Sequence, residues 1–311
     1  MLQPPPINRA LLYPVTTSVA VAATVVTGYW WTGHSIDSFD MNGEVWANWQ
    51  LWRALTCILP HGNFFHLAFN LYWLWVFGTL VEHVYGHLKC AAIFLLLAFG
   101  SSLGEYAVFD GGIGLSGVGY GLWGMIWVLE QRDARFHGAV DYQTSQTFVI
   151  WFFLCIGLTM ANIMPVANVA HGVGAILGVL LGFSISGDSS QKWKSILGLA
   201  ALMGLLVLGA TWFWPWVNIS KYAEPKIEWA GYQALQQGDP AGAVKFLTLA
   251  VKMPHAPARA WYNLGVAYER SGQPAAALAA FEQAARMPEA DAGMQQAVQD
   301  MKDLYQKSPA K

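Results

Sequence analysis

Four side chains in this 311-residue chain are of types that perform acyl transfer: Ser116 in "GLSGV", His171 in "VAHGVG", and His66 with Asn70 in "HGNFFHLAFN". A serine hydroxyl is a weak nucleophile at its free pKa and needs an adjacent base. Neutral imidazole is suited to take that proton and return it to a leaving amine. The tetrahedral oxyanion between those steps needs donors already in place, and His66, Asn70 and the Ser116 backbone N–H are of the right kind. On a helix, His66 and Asn70 lie about 40° apart around the axis and about 6 Å along it, so both can serve one point. Tyr120, one turn after Ser116, is placed to lie beneath an imidazole. The nearest carboxylates on the same side, Glu105 and Asp110, have no spacing that argues for partnership with His171, so the expectation is a Ser116–His171 dyad without a third acid. The stretch is not the hydrolase elbow G-x-S-x-G, because position 118 is valine. For any one of these residues alone, interhelical hydrogen bonding within a bundle is the plainer reading.

No cofactor is needed for this chemistry. His83 and His87, one helical turn apart, raise metal binding, but one such spacing is weak support, and the expectation is no metal. Cys57, Cys90 and Cys155 are widely separated in or beside apolar segments and read as small buried hydrophobes.

The elements that must carry these residues are apolar. Hydrophobic residues make up 55% of the chain and charged residues 12%, with 16 tryptophans; soluble domains carry about twice that charge. Of the 36 charged residues, 18 fall in residues 1–222 and 18 in the last 89, so a membrane part precedes a soluble tail. A formal net charge of −2 offers no basic footprint for nucleic acid.

A span needs about 20 mostly apolar residues. The sequence offers seven candidates: Leu11–Trp31, Phe64–Val81, Leu88–Tyr106, Ser116–Leu129, Thr147–Met160, Val166–Ser184 and Ile196–Val217. The fourth and fifth are short. "TGYWW" makes a poor cleavage site, so the first is expected to stay as a span rather than be removed as a leader. Arg9, Lys89, Arg132, Arg135, Lys192 and Lys194 fall on one side of such a bundle. Arg53, Lys221 and Lys226 fall on the other, which predicts a cytoplasmic N-terminus. The tail would then be outside, in the periplasm of a diderm bacterium. The Thr32–Asn63 connection, with "VWANWQLWR" at its centre, is expected to lie in the outer interface.

Two spans carry small residues at intervals of four. Gly117, Gly121 and Gly124 follow Ser116, and Gly174, Gly178 and Gly182 follow Asn168 and His171, so the two helices can approach closely. Gly114 supplies loop freedom just before the serine. Ser116, His171, His66 and Asn70 all come to similar depth on the same side of the membrane under this topology, a condition that their apposition requires.

In the tail, "GDPAGAVKFLTLAVKMP" (238–254) recurs as "GQPAAALAAFEQAARMP" (272–288), an offset of 34 residues. Trp261, Leu264, Gly265, Tyr268, Ala277, Phe281 and Ala284 follow the tetratricopeptide spacing, with Pro288 one place early. The first copy is degenerate, with Ile227 for Trp and Ala234 for Tyr. Two copies are fewer than such repeats need for stability, so a capping helix is expected near Ala292–Tyr305.

Taken together, residues 10–184 resemble the rhomboid intramembrane serine proteases. The resemblance rests on Trp52-Arg53, "HGNFFHLAFN", Glu82, "GLSG" and "AHGVG", in this order and on these spans. It implies Ser116 as nucleophile and His171 as general base, with His66, Asn70 and the Ser116 N–H as oxyanion pocket and Tyr120 stacked on the imidazole. Gly114, Gly117 and Asn168 would support the site, and Trp52, Arg53 and Glu82 would be structural. It further implies single-span membrane-protein substrates, cut near the outer interface. The expected fold is all-α: a six-helix catalytic membrane core (1–186), a linker with a seventh span (187–222), and a helical tetratricopeptide-like domain (223–311) that binds a protein partner. A rhomboid-like pseudoprotease that holds client helices without cutting them is the main alternative. A polar-lined transporter would leave "GLSG" unexplained.

Overall fold

The computed structural model describes residues 4–41, 45, 49–109, 111–220, 223–253 and 256–307. Asp110, Trp46 and the neighbouring Ala47 and Asn48 of the tryptophan-rich loop lie outside the described residues. Among the described residues all regular structure is helical. The chain divides into two compact units: Met1–Met41 with Leu51–Thr211, and Trp212–Lys311 with the short segment Asn42–Gln50.

Seven helices of the first unit follow the seven apolar stretches: α1 Pro14–Trp31, α2 Phe64–Tyr85, α3 His87–Val108, α4 Ser116–Glu130, α5 Tyr142–Met160, α6 Asn168–Ser186 and α7 Ser189–Ala210. Of these α2, α3, α5, α6 and α7 are long and apolar enough to cross a membrane. The 15-residue α4 is about 22 Å long, shorter than a hydrocarbon core of about 30 Å. The fifth helix is longer than its apolar run suggests because it starts at Tyr142, not Thr147. Asp141 caps it by accepting the Thr144 N–H at 2.8 Å. Likewise Asp188 accepts the Gln191 N–H at 2.8 Å and starts α7 seven residues before the expected Ile196. Hydropathy finds the apolar middle of a span; the caps set its ends.

The α3 helix is the hub, with 67% of its most apolar window buried, against 17% for α5. The apolar side chains Ile150, Phe153 and Leu154 of α5 are exposed. Its inner face joins the bundle through rings: Phe148 stacks on Trp123 of α4 at 5.3 Å and meets Trp73 of α2 edge-on at 4.9 Å. The most extensive packing is between α4 and α6. A Cβ at Gly178 would fall on the Gly121 carbonyl, one at Gly174 on the Gly117 carbonyl, and one at Gly124 within 2.6 Å of the Ala175 carbonyl oxygen. The two backbones therefore touch, which only glycine allows.

Within α2, residues Leu74–Gly78 form one wide turn of π type. It brings Gly78 against α1, where a Cβ would lie 2.9 Å from Thr16 Cγ2. One turn on, Glu82 is buried and accepts four hydrogen bonds or contacts at its two oxygens. They come from the Val15 N–H and Thr16 N–H at 2.9 Å, the Thr16 hydroxyl at 2.7 Å and His87 Nδ1 at 2.7 Å. Tyr13 leaves α1 without a side-chain cap of its own, and Glu82 supplies one from another helix. Glu82→Ala is expected to cost about 1 to 3 kcal/mol for each donor left buried without an acceptor. Thermal unfolding of the purified chain in detergent checks this; an unchanged midpoint would show that the donors find water.

In the second unit, Ala223–Gln236 (α8) and Pro240–Ala250 (α9) form one hairpin, and Ala258–Arg270 (α10) and Pro274–Ala285 (α11) the next. The 34-residue offset holds in the packing. A Cβ at Gly231 would meet Leu247 at 2.6 Å, and one at Gly265 would meet Phe281 at 2.5 Å, the same two positions of successive copies. Ala292–Lys307 (α12) follows as the expected capping helix and brings Met301 onto Ala277 and Phe281.

Candidate active site

Ser116 is the first residue of α4, so its N–H belongs to the first turn and has no intrahelical acceptor. Leu115, just before it, is held by His61: the Leu115 N–H donates to His61 Nε2 at 3.3 Å, which leaves Nδ1–H to donate to the Leu59 carbonyl at 2.9 Å. Gly114 has φ +103°, a conformation that side-chain-bearing residues rarely adopt. A Cβ there would also press within 2.7 Å of His66 Nε2. The glycine thus serves two needs, the sharp approach to α4 and the seating of the His66 ring.

His171 lies in the first turn of α6 and is 2% exposed. Its Nε2 is 2.8 Å from Ser116 Oγ. Close packing of α4 on α6 makes that distance reachable, since Gly117 and Gly174 let the two helices meet within a turn of both residues. Tyr120 stacks on the imidazole at 4.6 Å between centroids and 23° between planes, and its hydroxyl donates to the Phe148 carbonyl at 3.0 Å. The imidazole is therefore clamped between a ring and a serine. With Nε2 accepting from the Ser116 hydroxyl, Nδ1 carries the hydrogen. That Nδ1 is buried without a hydrogen-bond partner among the described residues. Among the described residues no carboxylate occupies the third place of a triad there.

His66 and Asn70 sit on the first two turns of α2, which Asn63 caps by accepting the His66 N–H at 2.9 Å. The Asn70 amide donates one hydrogen to the His66 carbonyl at 2.9 Å, leaving a second N–H of the amide for another acceptor. The His66 ring stands edge-on to His61 at 4.8 Å. Asn168 is turned elsewhere: its amide donates to Thr159 Oγ1 at 2.9 Å and to the Val166 carbonyl at 3.1 Å, tying the start of α6 to the end of α5. Trp52 is half-exposed, while Arg53 is buried and donates to the carbonyls of Asp37 at 2.6 Å and Asp40 at 3.2 Å, holding the first loop folded.

Two contacts of this region have no signature in the sequence. His61 stands inside the same "HGNFFHLAFN" stretch as His66, yet five positions apart on the chain and outside the helix, so no helical spacing singles it out. Glu105 has no spacing that pairs it with His171, and its buried carboxylate reaches the backbone of α6, where it accepts the Ala170 N–H at 2.9 Å. His83 is exposed and His87 is engaged with Glu82. No group of three or more His, Cys, Asp or Glu among the described residues is placed to hold a metal.

A helical bundle with spans of membrane-crossing length and a part-buried serine paired with a buried imidazole defines a class of polytopic membrane protein. Within that class, residues 48–188 match the rhomboid domain and residues 258–287 match the tetratricopeptide repeat. The chain is 33% identical over 174 residues to the rhomboid protease GlpG of Photorhabdus laumondii, covering 54% of this chain and 60% of that protein. With the rhomboid protease GlpG of Pectobacterium atrosepticum it shares 34% over 137 residues, 43% of this chain and 48% of the relative. With that of Yersinia pseudotuberculosis it shares 32% over 167 residues, 49% and 57% respectively. The chain spans about half to three-fifths of the length of these relatives. It is an integral membrane protein similar to the rhomboid domain over residues 48–188 and to the tetratricopeptide repeat over residues 258–287.

Proposed function

We propose that the protein is an intramembrane serine endopeptidase that cleaves transmembrane segments of other membrane proteins. The observation that carries this reading is the 2.8 Å approach of His171 Nε2 to Ser116 Oγ inside the bundle. Ser116 Oγ attacks the scissile carbonyl carbon as its proton passes to His171 Nε2. The negative oxygen is held by the Ser116 N–H, with His66 and Asn70 as further donors. The imidazolium then protonates the leaving amine, the C–N bond breaks, and an acyl-enzyme ester remains on Ser116. Water, deprotonated by His171, attacks that ester, releases the new carboxylate and restores the hydroxyl. Tyr120 holds the imidazole plane throughout, and no metal or cofactor takes part.

Substrates are single-span proteins, cut near the outer membrane face. The charge distribution supports that placement: Lys89 at the start of α3, Arg132 and Arg135 between α4 and α5, and Lys192 and Lys194 at the start of α7 fall on the side that the excess of Lys and Arg makes cytoplasmic. The protein then resides in the inner membrane of a bacterium, with a cytoplasmic N-terminus and the repeat domain in the periplasm. Core (1–186), seventh span (187–222) and tail (223–311) divide the work. The tail recruits a protein partner or substrate. Deleting residues 223–311 should lower cleavage of a native substrate while sparing a generic one; equal effects on both would remove the recruiting role.

Incubation of the liposome-embedded chain with a single-span substrate tests the reaction, with products mapped by mass spectrometry. A cut within or beside the substrate's span supports the proposal, and intact substrate under all conditions overturns it. His66→Ala and Asn70→Ala should each lower kcat by about 10- to 1,000-fold with the fold retained, the range set by one strong donor or a redundant one. Full activity in the double variant would rule out this pocket.

A further inference from the structure

We propose that Glu105 is a positioning residue for the dyad: from α3 it holds the first turn of α6 so that His171 stays in register with Ser116. This rests on the assignment of Ser116 and His171 made above. The first turn of a helix has backbone N–H groups without intrahelical acceptors, usually met by a side chain at the preceding position. Asn63, Asp141 and Asp188 do this for α2, α5 and α7. The residue before α6 is Ala167, which has nothing to offer, and the side chain of Asn168 is committed to Thr159 and Val166. Glu105 supplies the acceptor in trans. Its Oε2 takes the N–H of Ala170, the residue immediately before His171, at 2.9 Å.

The stem of Glu105 meets the other half of the site. A Cβ on Gly112 would lie 3.4 Å from Glu105 Cγ and 2.6 Å from Ala167 Cβ, so the loop leading into Ser116 packs on both the carboxylate's stem and the start of α6. One buried side chain therefore touches the segment carrying the nucleophile and bonds the helix carrying the base. Apart from the Nε2 contact with Ser116 Oγ, the His171 side chain has no hydrogen bond among the described residues to fix it, since Nδ1 has none. The first turn of α6, with the Tyr120 ring, is what orients the imidazole. Displacements near 1 Å between reacting groups cost about 100-fold in rate. Glu82 provides an internal comparison: it caps α1 by the same device, but α1 carries none of the reacting groups.

The test measures, on the full chain in liposomes, the second-order rate of labelling by a fluorophosphonate probe, kcat and KM for a single-span substrate, and the unfolding midpoint. Glu105→Ala should slow labelling and kcat by about 10- to 100-fold with KM within twofold. Glu105→Gln, which keeps an acceptor of the same reach, should recover to within about threefold of wild type. Glu105→Asp, one methylene short, should be about fivefold slow. Glu82→Gln should move the unfolding midpoint and not the labelling rate of folded protein. If Glu105→Ala does not fold, Asp slow with Gln near wild type still supports the assignment. Wild-type rates in Ala or in Asp, a loss that Gln does not rescue, or a loss carried by KM would overturn it. Ser116→Ala run alongside separates the two claims: labelling retained there removes the dyad itself, whereas labelling lost there but unaffected at Glu105 removes only the positioning role.

Discussion

Ser116→Ala is expected to lower cleavage of a single-span substrate by about 10⁴- to 10⁶-fold, and His171→Ala by a comparable factor. The two act as one device: without the hydroxyl there is no acyl-enzyme, and without the imidazole the proton on Oγ has no acceptor within reach. The double variant should therefore be no worse than either single one. What should persist is the proposed donor set of the residue-116 backbone N–H, His66 and Asn70, which can still polarise a carbonyl in front of water. Ser116→Ala should leave the bundle undisturbed, and His171→Ala should keep the fold at some cost in stability, since it empties a buried ring site while Tyr120 keeps its bond to the Phe148 carbonyl. Product formation in liposomes, with unfolding midpoints measured beside it, checks both statements. Activity within tenfold of wild type in either variant would require a different nucleophile.

Gly178→Val is expected to be the most damaging single change away from the reacting groups. A Cβ at this position falls on the Gly121 carbonyl and within 2.9 Å of the Met125 N. Those are backbone atoms of a facing helix, so no side chain can rotate aside, and α4 must move away from α6. Overpacking typically costs about 1 to 3 kcal/mol, and a helix-to-helix displacement places this case at or above the upper end. The displacement also separates Ser116 from His171, so activity should fall by about 100-fold or more even in the fraction that folds. Gly119→Ala is the matched control. It lies on the same helix as Gly121 but has nothing within 4 Å of its Cβ position. It should be neutral, or more stable by up to about 1 kcal/mol. Equal midpoints for the two variants would show that α4 and α6 do not rely on backbone contact.

The same glycines show what a sequence can and cannot reveal about such a protein. Intervals of four in 117–121 and 174–178–182 are readable because close helix approach has a periodic signature. The pair Ser116 and His171 follows from that approach and from matching depth. The 34-residue repeat is likewise periodic, and the Gly231–Leu247 and Gly265–Phe281 contacts express it in three dimensions. Contacts with no period stay hidden. His61 acts from a loop through a single bond to Leu115, and Glu105 acts across helices on a backbone N–H, which no residue type advertises. Asn168 stands three residues before His171 on the same helix, and its amide bond to Thr159 likewise has no signature in the sequence. The α5 and α7 helices begin at Tyr142 and Ser189, ahead of their apolar runs, because polar first turns secured by Asp141 and Asp188 look like loops to any measure of hydropathy.

The central claim is that Ser116 is a nucleophile activated by His171 within the membrane domain. Labelling with a fluorophosphonate probe tests it without any knowledge of substrate, because such probes phosphonylate serines whose hydroxyl has a working base, with fluoride as the leaving group. In detergent or liposomes the wild-type chain should label at one site, mapped to Ser116, and Ser116→Ala and His171→Ala should each abolish the signal while remaining folded. Undiminished labelling of Ser116→Ala would contradict the account.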